Sequence, residues 1–383
     1  MAENEPRSFG YDLSNTNLFA NLSNSIKENF QKPQPKKKSL LVQEYNQKRI
    51  TNFTTLKNKN SERKTYIEAL LEEYGSDIFK EMETNQKRNL CNYINAENLF
   101  KLQDKKYINE KIRTFLFHWI LANNVKWGLK DETVYLTMNI MDRYISKVKI
   151  TNNEYQLIAI TSYFIATKYE DIYPPDLESL LSICKYRYGN NEVLDTEHKI
   201  LEELKFEILY NSSYKFLKFL FTVSNYQDLK IFYLAELLLE LGIESIEFLS
   251  HPPCARAVSA LLVAKKLMNI KGNYNSIKFY YDYNEAEITN IQKKYVIILK
   301  RIYSSKDRSV VFEKFNNKKY MFVASLLINI FDSNKKKKLK NSEQKEESKI
   351  KITEEKTKEK AIKATLKKKL KALNINKENE CFQ

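Results

Sequence analysis

The chain of 383 residues has a composition that favours helices. Its 6 glycines and 7 prolines are too few for the turns of a many-stranded β fold, and its 43% hydrophobic content is enough for a substantial core. The net charge of +16 would suggest a nucleic-acid partner if it covered a folded surface, but residues 332–383 alone hold 17 lysines against 9 acidic residues. We therefore predict an all-α fold with half of the excess charge in a Lys-rich tail.

The four cysteines, Cys91, Cys184, Cys254 and Cys381, stand far apart with no C-x-x-C spacing. This pattern indicates neither a zinc site nor a secreted disulfide framework. No apolar run approaches the roughly eighteen residues that span a bilayer, and the polar start MAENEPRSFG does not resemble a signal peptide. We expect an intracellular, soluble protein with no metal, no cofactor and no membrane span.

The first segment, residues 1–60, is rich in Asn, Ser and Lys and lacks sustained periodicity. This composition predicts a disordered regulatory N-terminus. Within it, Lys27, Glu28 and Asn29 spell a KEN tripeptide. A second copy near the C-terminus shows that a chain so rich in these residues also produces the triplet by chance.

A helical extension is predicted over residues 61–107. Its main helix runs from Glu62 through Glu83, where apolar residues recur at helical spacing. Because glycine is a poor helix former, we expect an interruption near Gly75.

A first helical bundle is predicted over residues 108–208. In its first helix, apolar residues recur at i, i+3, i+4, i+7 and i+8 and form one core-facing stripe: Ile112, Phe115, Leu116, Trp119 and Ile120. The helices that follow are predicted over residues 131–147, after Thr151, near residues 176–183 and over residues 192–204.

The third helix of the bundle, which begins after Thr151, should be its central helix. Apolar residues lie on nearly every face, which is typical of a helix buried on all sides. Thr151 and Glu154 match a capping box at its start, and two prolines force its end. Lys168 ends a row that begins at Leu157, so its ammonium group needs an acceptor.

The same order of long and short helices recurs over residues 209–331. Five stretches are predicted there: 214–223, 229–242, 252–268, 276–283 and 286–303. The third carries many small residues, which would let helices approach closely at the centre of a second bundle. Beyond it, residues 332–383 form the Lys-rich tail.

Four charged residues lie on core-facing rows of the first bundle, where charges are rare without partners. Arg113 and Asp142 stand on adjacent helices and are predicted to form a buried ion pair that fixes helix register. Lys168 and Glu197 lie near helix ends. Two interpretations of this second set remain open: an internal pair, or a pair that binds the backbone of another protein.

No active site is indicated. The six glycines are isolated, so the sequence has no phosphate-binding loop. His118, His198 and His251 lack Cys or Ser neighbours at metal or nucleophile spacing, and His118 is predicted to lie on a helix surface. The sequence favours a non-catalytic binding protein.

Several motifs resemble a known family when they are taken in order. IRTFLFHWIL, DETVYLTMNIMDRYIS, YQLIAITSYFIATKYEDIYPP and VLDTEHKILEELKFEI resemble the N-terminal cyclin box of mitotic A/B-type cyclins. The segments around SHPPCARAVSALLVAKKLM and VFEKFNNKKYMFVASLL resemble the C-terminal box. The resemblance spans about residues 77–330 and implies two tandem five-helix boxes that bind and activate a cyclin-dependent protein kinase.

The resemblance also implies roles for individual residues. The five signature positions of the family are occupied here by Arg113, Asp142, Leu157, Lys168 and Glu197. Lys168 and Glu197 would contact the mobile helix of the kinase, which favours the partner interpretation, and Leu157 would belong to the core.

A substrate-docking patch is implied on the first helix, at Ile112, Leu116, Trp119 and Gln156. Its acidic member is replaced by Ala122. Recruitment of Arg-x-Leu peptides should therefore be weakened, because an arginine would lose its carboxylate.

The resemblance further implies that the KEN tripeptide is a degron read by ubiquitin-ligase machinery, and that the protein occurs in the nucleus and cytoplasm. One alternative is a transcriptional cyclin, although YEDIYPP is typical of the mitotic branch. Another is a DNA-binding cyclin-fold transcription factor, which would need a basic face on the second bundle. No specific nucleic acid is expected for a mitotic cyclin.

Overall fold

The computed structural model describes residues 60–90, 99–104, 108–224, 228–270, 283–304, 309–333, 335 and 365. The chain divides into two compact units, residues 1–324 and 325–383. In the second unit, the described residues are helical. The KEN tripeptide, residues 276–282 of a predicted helix and most of the Lys-rich tail lie outside the described residues.

The first unit is built from helices. Its α-helices are α1 (Asn60–Leu90), α2 (Glu110–Trp127), α3 (Asp131–Lys147), α4 (Asn152–Glu170), α5 (Leu177–Ile183), α6 (Asn190–Glu203), α7 (Ser213–Val223), α8 (Leu229–Glu244), α9 (Pro253–Leu267), α10 (Glu285–Ser304) and α11 (Val310–Phe315). Two short 3₁₀ turns cover Ile246–Phe248 and Lys318–Tyr320. The described residues contain no β-strand, which confirms the all-α prediction. None of the helices that can be described is both long and apolar enough to span a membrane.

In the extension, helix α1 runs through Gly75 without a break. The predicted interruption is therefore wrong. A glycine inside a helix costs only about 1 kcal/mol relative to alanine, and the packing of α1 on α7 offsets such a cost. The ring of Phe79 lies 5.9 Å from that of Phe216 and 5.6 Å from that of Phe219.

The first bundle comprises α2 to α6, with α4 between α3 and α6. The capping box begins α4 as predicted, since the Thr151 backbone N–H donates to Glu154 Oε2 over 2.7 Å. Residues 158–167 of α4 are all buried. Leu157, predicted as a core residue, is only half-buried beside half-buried Gln156, because the second turn of α4 lies at an edge of the bundle.

The second bundle comprises α7 to α10 and is closed by α11. Its central helix is α9, where Ala255, Ala257, Ala260 and Ala264 are buried and let α7, α8 and α10 pack closely. The helix α11 packs against both α8 and α2, so it bridges the two bundles.

Polar contacts join the bundles along the end of α8. The side chain of Thr114 donates to the Glu244 carbonyl over 2.9 Å, and the Ile246 backbone N–H donates to Glu110 Oε1 over 3.1 Å. Farther along, Lys215 of α7 pairs with Glu170 of α4 over 2.8 Å. The two bundles are therefore locked in one arrangement.

Replacing Lys205 with Gly should raise the free energy of unfolding by roughly 0.5–1 kcal/mol. Lys205 is exposed just after α6 and has φ of 53°, a left-handed conformation that costs an L-residue energy but suits glycine. Denaturant unfolding would measure the change. Lys199→Gly, at an exposed position inside α6, is the control and should lower stability by about 1 kcal/mol. Changes of the same sign in both variants would contradict the argument.

Candidate partner-binding surface

An ion pair connects the end of α4 to the middle of α6, so the prediction that Glu197 lies near the end of its helix is wrong. Lys168 Nζ donates to Glu197 Oε1 and also lies 4.0 Å from the centre of the Phe164 ring. The Lys168 side chain is 42% exposed and the Glu197 side chain 13%. An ion pair this open to water stabilises a fold by about 1 kcal/mol or less. Both groups are accessible from outside the bundle.

Large exposed apolar side chains lie close to this pair in the sequence. Tyr169, Ile172 and Tyr173 follow Lys168 in the chain and are 49%, 55% and 64% exposed. On α6, Leu194 is 45% exposed one turn before Glu197. Apolar side chains that cluster at the surface mark contacts with other proteins. We call Lys168, Tyr169, Ile172, Leu194 and Glu197 the α4–α6 surface.

A second apolar stripe lies on α1. Leu70, Tyr74 and Ile78 stand at i, i+4 and i+8, on one face of the helix, and all three are exposed. Their helix is tied to the start of α7, because Asn211 Nδ2 donates to the Met82 carbonyl over 3.2 Å. The end of α4 is tied to the same part of α7 through the Lys215–Glu170 pair. Both α1 and the end of α4 are thus anchored to the start of α7.

The other predicted pair, Arg113 with Asp142, is buried. Arg113 Nε lies 2.8 Å from Asp142 Oδ1, and Arg113 Nη2 lies 2.7 Å from Asp142 Oδ2. Both residues are at most 2% exposed. Arg113 Nη1 also donates to the Ile243 carbonyl over 2.6 Å, so the guanidinium connects α2, α3 and the end of α8. This contact with the second bundle was not foreseen from the sequence.

The docking-patch residues present little apolar area. Leu116 and Trp119 are each only 4% exposed, and Ile112 is half-buried. Gln156 lies on α4 and not on the first helix as predicted. Its oxygen accepts a hydrogen bond from Arg187 Nη1 over 3.0 Å, which places a positive charge beside the patch. Ala122 is buried. The role of the patch stays a prediction, and its surroundings agree with weak recruitment of basic peptides.

The prediction that His118 lies on a helix surface is wrong. Its Nε2 is 2.8 Å from Glu244 Oε1, and Ser309 Oγ donates to the same carboxylate oxygen. The residue is half-buried because the second bundle covers this face of α2. A helical wheel drawn for the first bundle alone cannot show that the second bundle covers this face of α2.

One group of carboxylates among the described residues is close enough to surround a cation. Oxygens of Asp131, Glu236 and Glu240 lie within 4.8 Å of one another. The ammonium group of Lys314 is already placed among them, 2.8 Å from Asp131 Oδ1. The group is therefore an ion-paired cluster. Neither Lys314 nor its acidic partners were singled out in the sequence.

Comparison with known proteins places the fold and the sequence in one family. The family model for the cyclin N-terminal domain matches residues 77–209, and that for the cyclin C-terminal domain matches residues 212–329. The chain is 30% identical to Cyclin-B2-1 of Arabidopsis thaliana over 57% of its length, covering 50% of that protein. It is 26% identical to the G2/mitotic-specific cyclin cdc13 of Schizosaccharomyces pombe over 68% of its length, covering 52% of that protein.

The chain thus spans about half the length of these curated relatives. Among solved structures, a viral cyclin from Herpesvirus saimiri matches with a TM-score of 0.50 and 19% identity, covering 57% of this chain and 95% of the viral one. This likeness concerns the fold. The two domain models, in tandem over most of the helical region, show that the chain belongs to the cyclin family.

Proposed function

We propose that this protein is a mitotic-type cyclin, a non-catalytic regulatory subunit that binds and activates a cyclin-dependent protein serine/threonine kinase during cell division. The observation that carries the proposal is the exposed Lys168–Glu197 pair within an apolar surface. The mitotic assignment rests on the B-type relatives, one of which is named as G2/mitotic-specific. We place the protein in the nucleus and cytoplasm, where such a kinase acts.

The chemistry of the α4–α6 surface suits a helix of a partner. An ammonium group can donate to free carbonyls at a helix end, and a carboxylate can accept from free N–H groups. Because the Lys168 side chain is 42% exposed, exchanging its contact with Glu197 for contacts with a partner costs little. Tyr169, Ile172 and Leu194 would supply the apolar area that such an interface buries.

Activation would be a shift in the conformations of the kinase. A rigid cyclin that packs against the mobile helix of the kinase favours the inward position, in which the glutamate of that helix pairs with the ATP-positioning lysine. The activation loop is drawn away from the substrate cleft in the same state. The two locked bundles supply the rigidity, and the kinase performs the phosphoryl transfer.

Changing Lys168 and Glu197 together to Ala should lower affinity for a mitotic cyclin-dependent kinase about tenfold or more, with a matching loss of histone kinase activity. Truncation removes both polar contacts while leaving the buried core unchanged. Binding would be measured with purified full-length protein by calorimetry, and activity by phosphate transfer to histone.

Lys147→Ala with Glu203→Ala is the matched control. This pair also connects a helix of the first bundle to α6, over 3.9 Å, and is exposed. It lies outside the α4–α6 surface and should leave affinity unchanged. Equal affinity in both double variants and the unmodified protein would mean that the kinase contacts another surface.

The KEN tripeptide stays a prediction. We propose that Lys27, Glu28 and Asn29 offer a degron to ubiquitin-ligase machinery. This second activity is independent of the α4–α6 surface.

A further inference from the structure

The junction between the bundles contains a buried charge cluster that kinase binding does not use. Asp131 begins α3 of the first bundle, while Glu236 and Glu240 stand one turn apart on α8 of the second. Lys314 of α11 reaches all three carboxyls, at 2.8 Å from Asp131 Oδ1, at 3.7 Å from Glu236 Oε1 and in direct contact with Glu240 Oε1. Lys314 is 0% exposed, and Glu236 and Glu240 are at most 1% exposed.

The charges in this cluster do not balance. Three ionised carboxyls around one ammonium group would leave two negative charges in a buried site. Lys319 also acts on these carboxyls electrostatically, but it is exposed and donates to the hydroxyl of Tyr320. An uncompensated buried charge costs several kcal/mol, so the group takes up protons rather than stay ionised.

The three carboxyls differ in the number of hydrogen bonds that they accept. Within the part of the chain that the structure describes, neither oxygen of Glu236 has a hydrogen-bond partner, and Oε2 of Glu240 has none. Oε1 of Glu240 accepts from Lys314, and Asp131 Oδ1 accepts both from Lys314 and, over 3.4 Å, from the Tyr320 hydroxyl. Tyrosines are the other ionisable groups that face the cluster, and they bring no positive charge: Tyr135 from α3, Tyr214 from α7, Tyr233 from α8 and Tyr320 from the 3₁₀ turn.

The electrostatics divide the three acids accordingly. Burial raises the pKa of Glu236 well above its ordinary value, and burial raises the pKa of Glu240 to about 7. For Asp131, burial acts in the same direction, but Lys314 and Lys319 outweigh it and lower the pKa to about 2. Lys314 therefore favours the ionised form of Asp131, whereas burial raises the proton affinity of Glu236 and Glu240.

We propose that this junction is a proton-binding site, and that loss of protons from Glu236 and Glu240 weakens the packing of α11 between the two bundles. The resident cation is Lys314, which leaves the site to protons and not to a metal ion. The proposal is independent of the proposed kinase binding, since the α4–α6 surface shares none of these residues.

The sign of the pH dependence follows from the two states of the chain. In the unfolded chain the glutamates release their protons near pH 4.5, whereas folded Glu240 keeps its proton to about pH 7. Their contribution is therefore fully present below pH 4.5 and is lost as the pH rises. The contribution of Asp131 is present above its ordinary pKa of 3.8 and is lost only as the pH falls towards 2. The two windows do not overlap.

The test is the free energy of unfolding of the full chain at pH 6 and pH 8. Glu240→Gln carries a neutral isostere of the protonated acid. Between pH 6 and pH 8, we expect its folding equilibrium constant to fall by a factor about ten times smaller than that of the unmodified protein. Glu236→Gln should flatten the profile in the same direction. Glu203→Gln, on the exposed end of α6, is the control and should keep the unmodified slope. Comparing variants removes the histidine contribution common to all.

Two outcomes would overturn the proposal. One is an equal pH slope in Glu240→Gln, Glu236→Gln and the unmodified protein. The other is a rise in Tm on adding Mg²⁺ or Mn²⁺ to the unmodified protein but not to Glu240→Gln, which would assign the cluster to a metal. If a variant fails to fold, amide hydrogen exchange in the unmodified protein tests the proposal instead. Protection of residues 309–320 from exchange must then fall between pH 6 and pH 8 relative to the protection of α4.

Discussion

Replacing Arg113 with Ala should lower the free energy of unfolding by about 3–5 kcal/mol. The change would leave the Asp142 carboxylate without its guanidinium partner in a site where both are at most 2% exposed. It would also remove the donor to the Ile243 carbonyl, so the contact between the bundles would be weakened together with the α2–α3 register. Chemical denaturation of the full chain at neutral pH would measure the loss.

Two companion variants separate charge from packing. Lys147→Ala removes an exposed ion pair and should cost about 1 kcal/mol or less. Arg113→Met with Asp142→Leu removes both charges and should recover much of the loss, since a buried pair stabilises little against apolar side chains. A loss in Arg113→Ala no larger than that in Lys147→Ala would show that the buried pair does not hold the bundles in register.

Helix positions could be predicted from local patterns because the information lies within one or two turns. The stripe beginning at Ile112, the capping box of Thr151 and Glu154 and the prolines after α4 all fix boundaries without reference to other helices. Gly75 shows the limit of this reasoning. Its local cost is small, and the contacts of Phe79 with α7, more than a hundred residues away, decide the outcome.

The candidate surface could be predicted in part for the same reason. Lys168 and Glu197 stand out because each is charged on an otherwise apolar row, although the sequence left open whether they pair with each other or bind a partner. The apolar residues around them were missed, since an exposed Tyr169 or Ile172 reads as an ordinary apolar residue until the fold leaves it uncovered.

Contacts between the bundles could not be predicted, because they join residues far apart in the chain on faces that each bundle alone would expose. His118 meets Glu244 across 126 positions, and Lys314 meets Asp131 across 183. In the sequence, Lys314 is one charge in the short run VFEKF. Its complete burial requires α3, α8 and α11 to come together, and no local sequence pattern contains that information.

Replacing Lys314 with Met should lower the free energy of unfolding at pH 8 by about 3–5 kcal/mol or more. Methionine fills a similar volume, so the loss measures the missing charge. The burial penalty on Asp131, Glu236 and Glu240 would then be opposed only by the exposed Lys319. Lys318→Met, in the exposed 3₁₀ turn nearby, is the control and should change stability little. The loss should shrink at pH 5, because glutamates without a cation take up protons and their repulsion disappears. A loss that is the same at both pH values would mean that Lys314 stabilises the junction by packing alone, and that the charge cluster contributes nothing to holding α11 between the bundles.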